Sequence, residues 1–137
     1  MDYLHINPAI YASFNYKFTK FVKQKEGGMK SISRELVGAS AALIILMVLT
    51  KGDNYGYEIV QRVKDLSNGE IKWQEAGIYP VLKKLENDGM IKSYWKVQEG
   101  ERPRKYYSLL ADGKKQLEQN MNDWNLVQSV IAGLQGA

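Results

Sequence analysis

Residues 77–110 read GIYPVLKKLENDGMIKSYWKVQEGERPRKYYSLL, and two periodicities meet inside this stretch. Ile78, Leu82 and Leu85 recur at helical spacing, which makes one face of a helix apolar and leaves Ala76, Pro80, Lys83, Lys84 and Asn87 on the opposite face. Pro80 has no N–H to donate, so either the regular helix starts near Gly77 or it is kinked at the proline. After Asn87-Asp88-Gly89 the period changes from helical to alternating. Ile91, Ser93, Trp95 and Val97 fall on one face and Lys92, Tyr94 and Lys96 on the other, the pattern of a strand. Gln98 to Pro103 then reads as a loop and Arg104 to Leu110 as a return strand, so Arg102, Arg104 and Lys105 lie at or beside a hairpin tip.

Upstream of this stretch the sequence predicts a first core helix over Ser33 to Thr50, carrying Leu36, Leu43, Ile44, Met47 and Val48 and stopping at Lys51-Gly52-Asp53-Asn54. Gly52 suits a C-terminal cap, and Asp53 or Asn54 an N-cap for the next helix. That second helix, Tyr55 to Ser67, places Ile59, Val63 and Leu66 on one stripe and ends at Ser67-Asn68-Gly69, with a short extended piece from Glu70 to Trp73 before the third helix. Helix, tight break, helix and basic-tipped hairpin, in that order, specify a mainly α fold with a small β-hairpin: a winged helix-turn-helix.

Composition narrows the classes of function. The chain has 137 residues, 45% hydrophobic and 25% charged, which suits one domain with an appendage and argues against bulk disorder. With no cysteine and only His5 as histidine, thiolate metal sites, histidine metal clusters and Cys/His or Ser/His nucleophile arrangements are excluded. No paired carboxylates suggest general acid/base work and no Gly-rich phosphate loop occurs, so neither an enzyme nor a bound cofactor is expected. The apolar run Ala39 to Leu49 falls short of the roughly 20 residues of a spanning helix, and no secretory signal is evident; a cytoplasmic protein with no membrane partner is expected.

The formal charge is only +4, so its placement matters more than its size. Between residues 79 and 105 seven basic side chains (Lys83, Lys84, Lys92, Lys96, Arg102, Arg104, Lys105) face four acids (Glu86, Asp88, Glu99, Glu101). That excess on the second helix of the pair and on the hairpin is what a phosphate backbone would select. The competing reading is a solvated lysine-rich face with routine solubilising charges. A basic tip directly after a helix pair whose polar face is also basic favours the wing and double-stranded DNA.

The last helix, Asp112 to about Leu134, has Leu117, Met121, Trp124, Val127, Ile131 and Leu134 at near-heptad spacing. Such a face is too apolar for an isolated surface helix and is expected to pair across a homodimer.

Gly52-Asp53-Asn54-Tyr55-Gly56-Tyr57-Glu58-Ile59, then Gly77-Ile78-Tyr79-Pro80-Val81-Leu82-Lys83-Lys84-Leu85-Glu86-Asn87-Asp88-Gly89-Met90-Ile91, then Arg104-Lys105-Tyr106-Tyr107-Ser108-Leu109 together resemble the PadR family of bacterial transcriptional regulators, over about residues 32 to 134. The resemblance implies a homodimeric winged-helix repressor, often one that leaves its operator when an aromatic or drug-like compound binds. It places DNA contacts on Tyr55 and Tyr57, on Ala76, Tyr79, Lys83 and Lys84, and on the wing residues Arg102, Arg104 and Lys105. Tyr79, flanking an apolar stripe, reads equally as a packing residue.

The single-helix tail resembles the small subgroup of that family, in which multidrug-sensing members sandwich planar ligands between tryptophans of the two subunits. Trp124 matches that position, with Leu43, Met47, Met121 and Gln128 as further pocket residues. Multidrug members carry an acid where this chain has Gln128, which counts against a preference for cationic drugs, although Asp123 is close in sequence. Trp124 reads equally as an anchor of the dimer core.

The expected organisation is therefore an N-terminal extension (1–28), a winged helix-turn-helix (29–110) and a C-terminal dimerisation helix (111–137). In the extension Tyr11, Phe14, Tyr16, Phe18 and Phe21 alternate with Lys17 and Lys20, as in an amphipathic helix or a basic arm; the other reading is that translation starts at Met29. A winged helix that serves as a protein-interaction module, without sequence-specific DNA binding, is the alternative function.

Overall fold

Ser33 opens the first helix of the computed structural model, which describes residues 32–136. Its hydroxyl oxygen accepts from the Leu36 N–H at 3.4 Å and the hydroxyl donates to Glu35 Oε2 at 2.8 Å, so α1 (Arg34–Leu49) begins with a capped first turn. At the far end the Thr50 hydroxyl donates to the Met47 carbonyl at 2.6 Å, and Gly52 turns the chain at φ +139°. The buried side of α1 is Ile45, Leu46, Val48 and Leu49, while Leu43, Ile44 and Met47 are half-buried. Of the expected stripe only Val48 is fully inside. Nearly every residue from Ala41 to Leu49 is apolar, so periodicity had no polar face from which to choose the inward one.

Neither Asp53 nor Asn54 caps the next helix, and Tyr55 does not lie within it. Asn54 and Tyr55 form β1 (Asn54–Tyr55), and α2 (Gly56–Leu66) starts directly after it, with Tyr55 as an N-cap that makes no side-chain hydrogen bond. Asn54 instead accepts from the Tyr55 N–H through Oδ1 at 2.9 Å. Ile59, Val60 and Val63 are buried, whereas Leu66, expected on the core stripe, is 73% exposed. It ends the helix, where the last turn runs past the elements that cover Ile59 and Val63.

α3 (Glu75–Asn87) begins before Gly77 and continues through Pro80, with Ile78, Leu82 and Leu85 buried as their spacing predicts. Gly89, at φ +76°, turns the chain into β2 (Ile91–Lys96), which pairs with β3 (Arg104–Leu109). β3 also pairs with β1, giving an antiparallel sheet in the order β1-β3-β2. The register puts Tyr55, Tyr106 and Tyr94 in one row across the sheet and Asn54, Tyr107 and Ser93 in the next, on the opposite face.

α4 (Ala111–Gln135) follows β3 after a single residue. The Leu110 N–H donates to the Met90 carbonyl at 3.0 Å, and a methyl group added at Gly113 would overlap that same carbonyl oxygen and press on Leu109. Glycine is therefore what lets the first turn of α4 lie against the base of the hairpin. Ile32–Leu117 form one compact unit, with Ile45, Leu46, Ile59, Leu82, Ile91 and Leu117 fully buried; residues from Glu118 onward belong to a second unit. Among the described residues no helix is long and apolar enough to cross a membrane. Both readings of residues 1–28 lie outside the described residues.

Candidate nucleic-acid interface

Burial of Ile78, Leu82 and Leu85 turns the other side of α3 outward, and Ala76, Gly77, Pro80, Lys83, Lys84 and Asn87 are all exposed there. Small residues lead and lysines follow, so the first turns can approach a groove closely while longer cationic side chains reach its walls. Lys84 Nζ pairs with Asp88 Oδ2 at 3.1 Å. Both partners are exposed, and such an i,i+4 pair contributes on the order of 0.5 kcal/mol at most, so Lys84 is readily released to another anion. Lys83 has no ion pair among the described residues.

Tyr79 does two things at once. Its hydroxyl donates to Glu75 Oε1 at 2.7 Å, and this bond to a carboxylate, aided by burial, pushes the phenol up to about 12. Its ring lies against the first residue of α2, where a Cβ at Gly56 would sit 3.1 Å from the phenol oxygen. The tyrosine thus ties the start of α2 to α3. Tyr57, in the first turn of α2, is exposed.

The outward face of the sheet is an aromatic and cationic ladder. Tyr106 stands 5.2 Å from Tyr55 and 5.8 Å from Tyr94, centroid to centroid. Arg104 places its guanidinium carbon 4.5 Å from the Tyr55 centroid, and Lys96 Nζ lies 5.0 Å from that of Tyr106. The Tyr94 hydroxyl donates to Asp53 Oδ2 at 2.7 Å, which raises its phenol and joins the hairpin to the turn before β1. Burial, opposed by the Arg104 charge, raises the Tyr55 phenol. Tyr55 is half-buried beneath Arg104, whose Nε is buried without a hydrogen-bond partner among the described residues. Arg102 and Lys105 are exposed, Lys105 reaching to 6.0 Å from the Tyr107 ring on the inner face.

The inner face packs. Ser93 donates to Glu86 Oε1 at 2.7 Å, linking β2 to α3, and Tyr107 is buried, which raises its phenol. Sequence reading counted Lys96 among the basic residues but missed the ladder it joins, with Tyr94 and Tyr106, and the bond of Asp53 to Tyr94. The signal was present in the alternation of β2 and β3, but the row is completed only by β1, two residues long and too short to announce itself.

The residues expected to hold an effector stand on different elements. Leu43 and Met47 are half-buried on α1; on α4 Met121 and Gln128 are buried and Trp124 is half-buried. Of the expected dimer residues, Leu117 is fully buried in the core of Ile32–Leu117, whereas Val127, Ile131 and Leu134 are exposed together with Leu126 and Val130. An open groove along α2, lined by Asn54, Glu58, Gln61, Arg62, Asp65 and Leu66, mixes both signs of charge and offers no single-sign surface.

Comparison with known proteins yields a consistent set. The family model described as the transcriptional regulator PadR-like family matches residues 45–119. The solved structure of a transcriptional regulator from Clostridium thermocellum superposes with a TM-score of 0.68 at 31% identity, covering 74% of this chain and 96% of that one. A PadR family transcription regulator from Clostridium difficile R20291 gives a TM-score of 0.63 at 33% identity, covering 70% and 98%. The negative transcriptional regulator PadR of Bacillus subtilis is 34% identical over 80 residues, 58% of this chain; the match spans only 42% of the length of that relative.

Proposed function

This chain belongs to the PadR-like family of transcriptional regulators, which are regulators and not enzymes, and from that premise we propose that it is a cytoplasmic homodimeric repressor of an inverted-repeat operator. The observation that carries the proposal is the division of labour on α3 and the hairpin. The apolar side of α3 is consumed inside the fold, as is that of the hairpin at its base through Ile91 and Tyr107, while Ala76, Lys83 and Lys84 on one element and Arg102 and Lys105 on the other stand exposed. α3 enters the major groove, its small leading residues against base edges, and the hairpin reaches the flanking backbone. Neutralised phosphates supply much of the affinity and make it steeply dependent on salt. Repression is supported by the name of the Bacillus subtilis relative, a negative regulator.

Dimerisation falls to α4. Leu126, Val127, Val130, Ile131 and Leu134 form an exposed apolar set on a helix that would otherwise hold them in water, and a two-fold axis would set two reading heads about one helical turn apart. A planar aromatic effector held near Trp124 would favour release by binding one separation of the heads better than the other.

Binding of the full chain to its own upstream DNA across a salt series tests the reading. Tight, sequence-preferring, salt-steep binding is expected, with Lys83→Ala and Arg104→Ala each lowering the slope by about two, one phosphate contact being lost from each subunit of the dimer. A planar dye is expected to release the operator from wild type and not from Trp124→Ala; equal release would remove the effector pocket alone. No preference over random duplex would overturn the regulator and favour a protein-interaction module.

A further inference from the structure

We propose that Trp95 is an apolar contact of the wing to the sugar wall of a DNA minor groove, an inference that rests on the DNA-binding reading above. β2 continues the inner face of the sheet outward from Ile91, which is buried, through Ser93, which is bonded to α3, to Trp95 and then Val97 just past its end. Here the packing stops: Trp95 is 67% exposed and Val97 72%. Alternation places both on the face that packs against α3, yet nothing among the described residues covers them. The largest apolar side chain available thus stands in water on the hairpin's inner side.

What surrounds the ring identifies the occupant. Lys105 is its cross-strand partner on the same face and Arg102 lies just beyond in the loop, while Lys96 and Arg104, the adjacent pair of the register, point to the opposite face of the same hairpin end. An apolar centre rimmed by cations complements one strand of a duplex, where deoxyribose presents C–H surface between phosphates. On this face Lys105 leans toward Tyr107, and on the other face Lys96 and Arg104 are steadied over Tyr106 and Tyr55. They are pre-oriented by ring faces and form no ion pair among the described residues, so their charge remains available. Apolar side chains set against a minor groove are an established way to add contact without adding charge. With α3 in the major groove, the hairpin after it is set to reach the neighbouring minor groove, and β2, which carries Trp95, is an edge strand of the sheet.

The contact should be apolar and therefore insensitive to salt, which separates it from every lysine and arginine nearby. Operator binding by the full chain is measured across a salt series for wild type, Trp95→Phe, Trp95→Ala and Arg102→Ala. Trp95→Ala is expected to weaken binding roughly 10- to 100-fold with the salt slope unchanged, Trp95→Phe to recover most of the loss, and Arg102→Ala to lower the slope by about two, one contact per subunit. Quenching by acrylamide, a neutral probe, is compared in wild type and Trp95→Ala. A quenchable component present only in wild type should be protected by operator. If that component stays equally quenchable while operator is bound with a steep salt slope, Trp95 faces water in the complex; the inference fails and the regulator stands. Protection that rises with protein concentration in the absence of DNA would assign the ring to a second copy and overturn the inference as well. Failure to bind any duplex would remove both.

Discussion

α3 and α4 are both amphipathic, but they dispose of their apolar faces in opposite ways. All three of the periodic apolar residues of α3, Ile78, Leu82 and Leu85, are inside the unit that contains the helix. α4 buries Leu117 and Met121 near its start and then carries Leu126, Val127, Val130, Ile131 and Leu134 exposed along its second half. A helix whose apolar side is fully used has only its polar side left for a partner, and on α3 that side is basic. A helix with an unused apolar side is suited to another apolar surface, and a second copy of α4 supplies one by symmetry. One chain can thus separate the partner it reads from the partner it pairs with.

The largest expected effect tests that contrast directly. Leu82→Ala removes a fully buried side chain from the core and should cost about 2–5 kcal/mol, read as a lower denaturation midpoint in urea at every protein concentration. Leu134→Ala, at a position 73% exposed, should leave the low-concentration midpoint unchanged and reduce only the part that rises with protein concentration. If the two variants behaved alike, the two helices would not differ in how they use their apolar faces.

A smaller effect probes the joint that lets α4 start where it does. Gly113→Ala drives a methyl group into the Met90 carbonyl, a backbone atom that has little room to shift, so a loss of about 1–3 kcal/mol is expected. This runs against helix propensity, by which alanine in place of glycine gains roughly 1 kcal/mol. A stabilised Gly113→Ala would show that the first turn of α4 does not lie against the base of the hairpin.

The contrast also explains what was legible in the sequence. α3 could be read because Lys83, Lys84, Glu86 and Asn87 give it a polar face against which the Ile78, Leu82 and Leu85 stripe stands out. The same periodicity fails on α1, where Ala41 to Leu49 offers several equivalent stripes, and on Leu66, whose face was right but whose turn nothing covers. Alternation likewise tells which face of β2 holds Trp95 and not that the covering elements end before it. β1 could not be read at all, because its pairing is decided by Tyr106 and Tyr107, about fifty residues later. The role of Gly113 was hidden for the same reason, since the atom it must avoid belongs to Met90. Among the interface residues, the exposure of Lys83, Lys84, Arg102 and Lys105 followed from pattern, whereas the burial of Tyr55 under Arg104 needed the third strand.

Tyr79 offers the finest distinction on the outward side of α3, between a residue that contacts DNA and one that holds α3 to α2. Its phenol donates to Glu75 and is raised to about 12 from an ordinary value of 10.0. Because the folded-state value lies above the unfolded one, this bond contributes stability that is fully present below pH 10 and lost as the pH rises through 12. Tyr79→Phe should therefore cost no more than about 1 kcal/mol near neutral pH, the group being partly exposed and the bond screened by water. In a spectroscopic titration the tyrosinate absorbance gained near 12 should be smaller in the variant by one tyrosine's share; an unchanged gain there would show that the Glu75 bond does not hold Tyr79 up in solution. The ring remains in Tyr79→Phe, so its packing against Gly56 remains too. Unchanged operator affinity would then mark Tyr79 as a residue that positions α3, while a loss of affinity with the salt slope intact would show its hydroxyl leaving Glu75 for the DNA backbone.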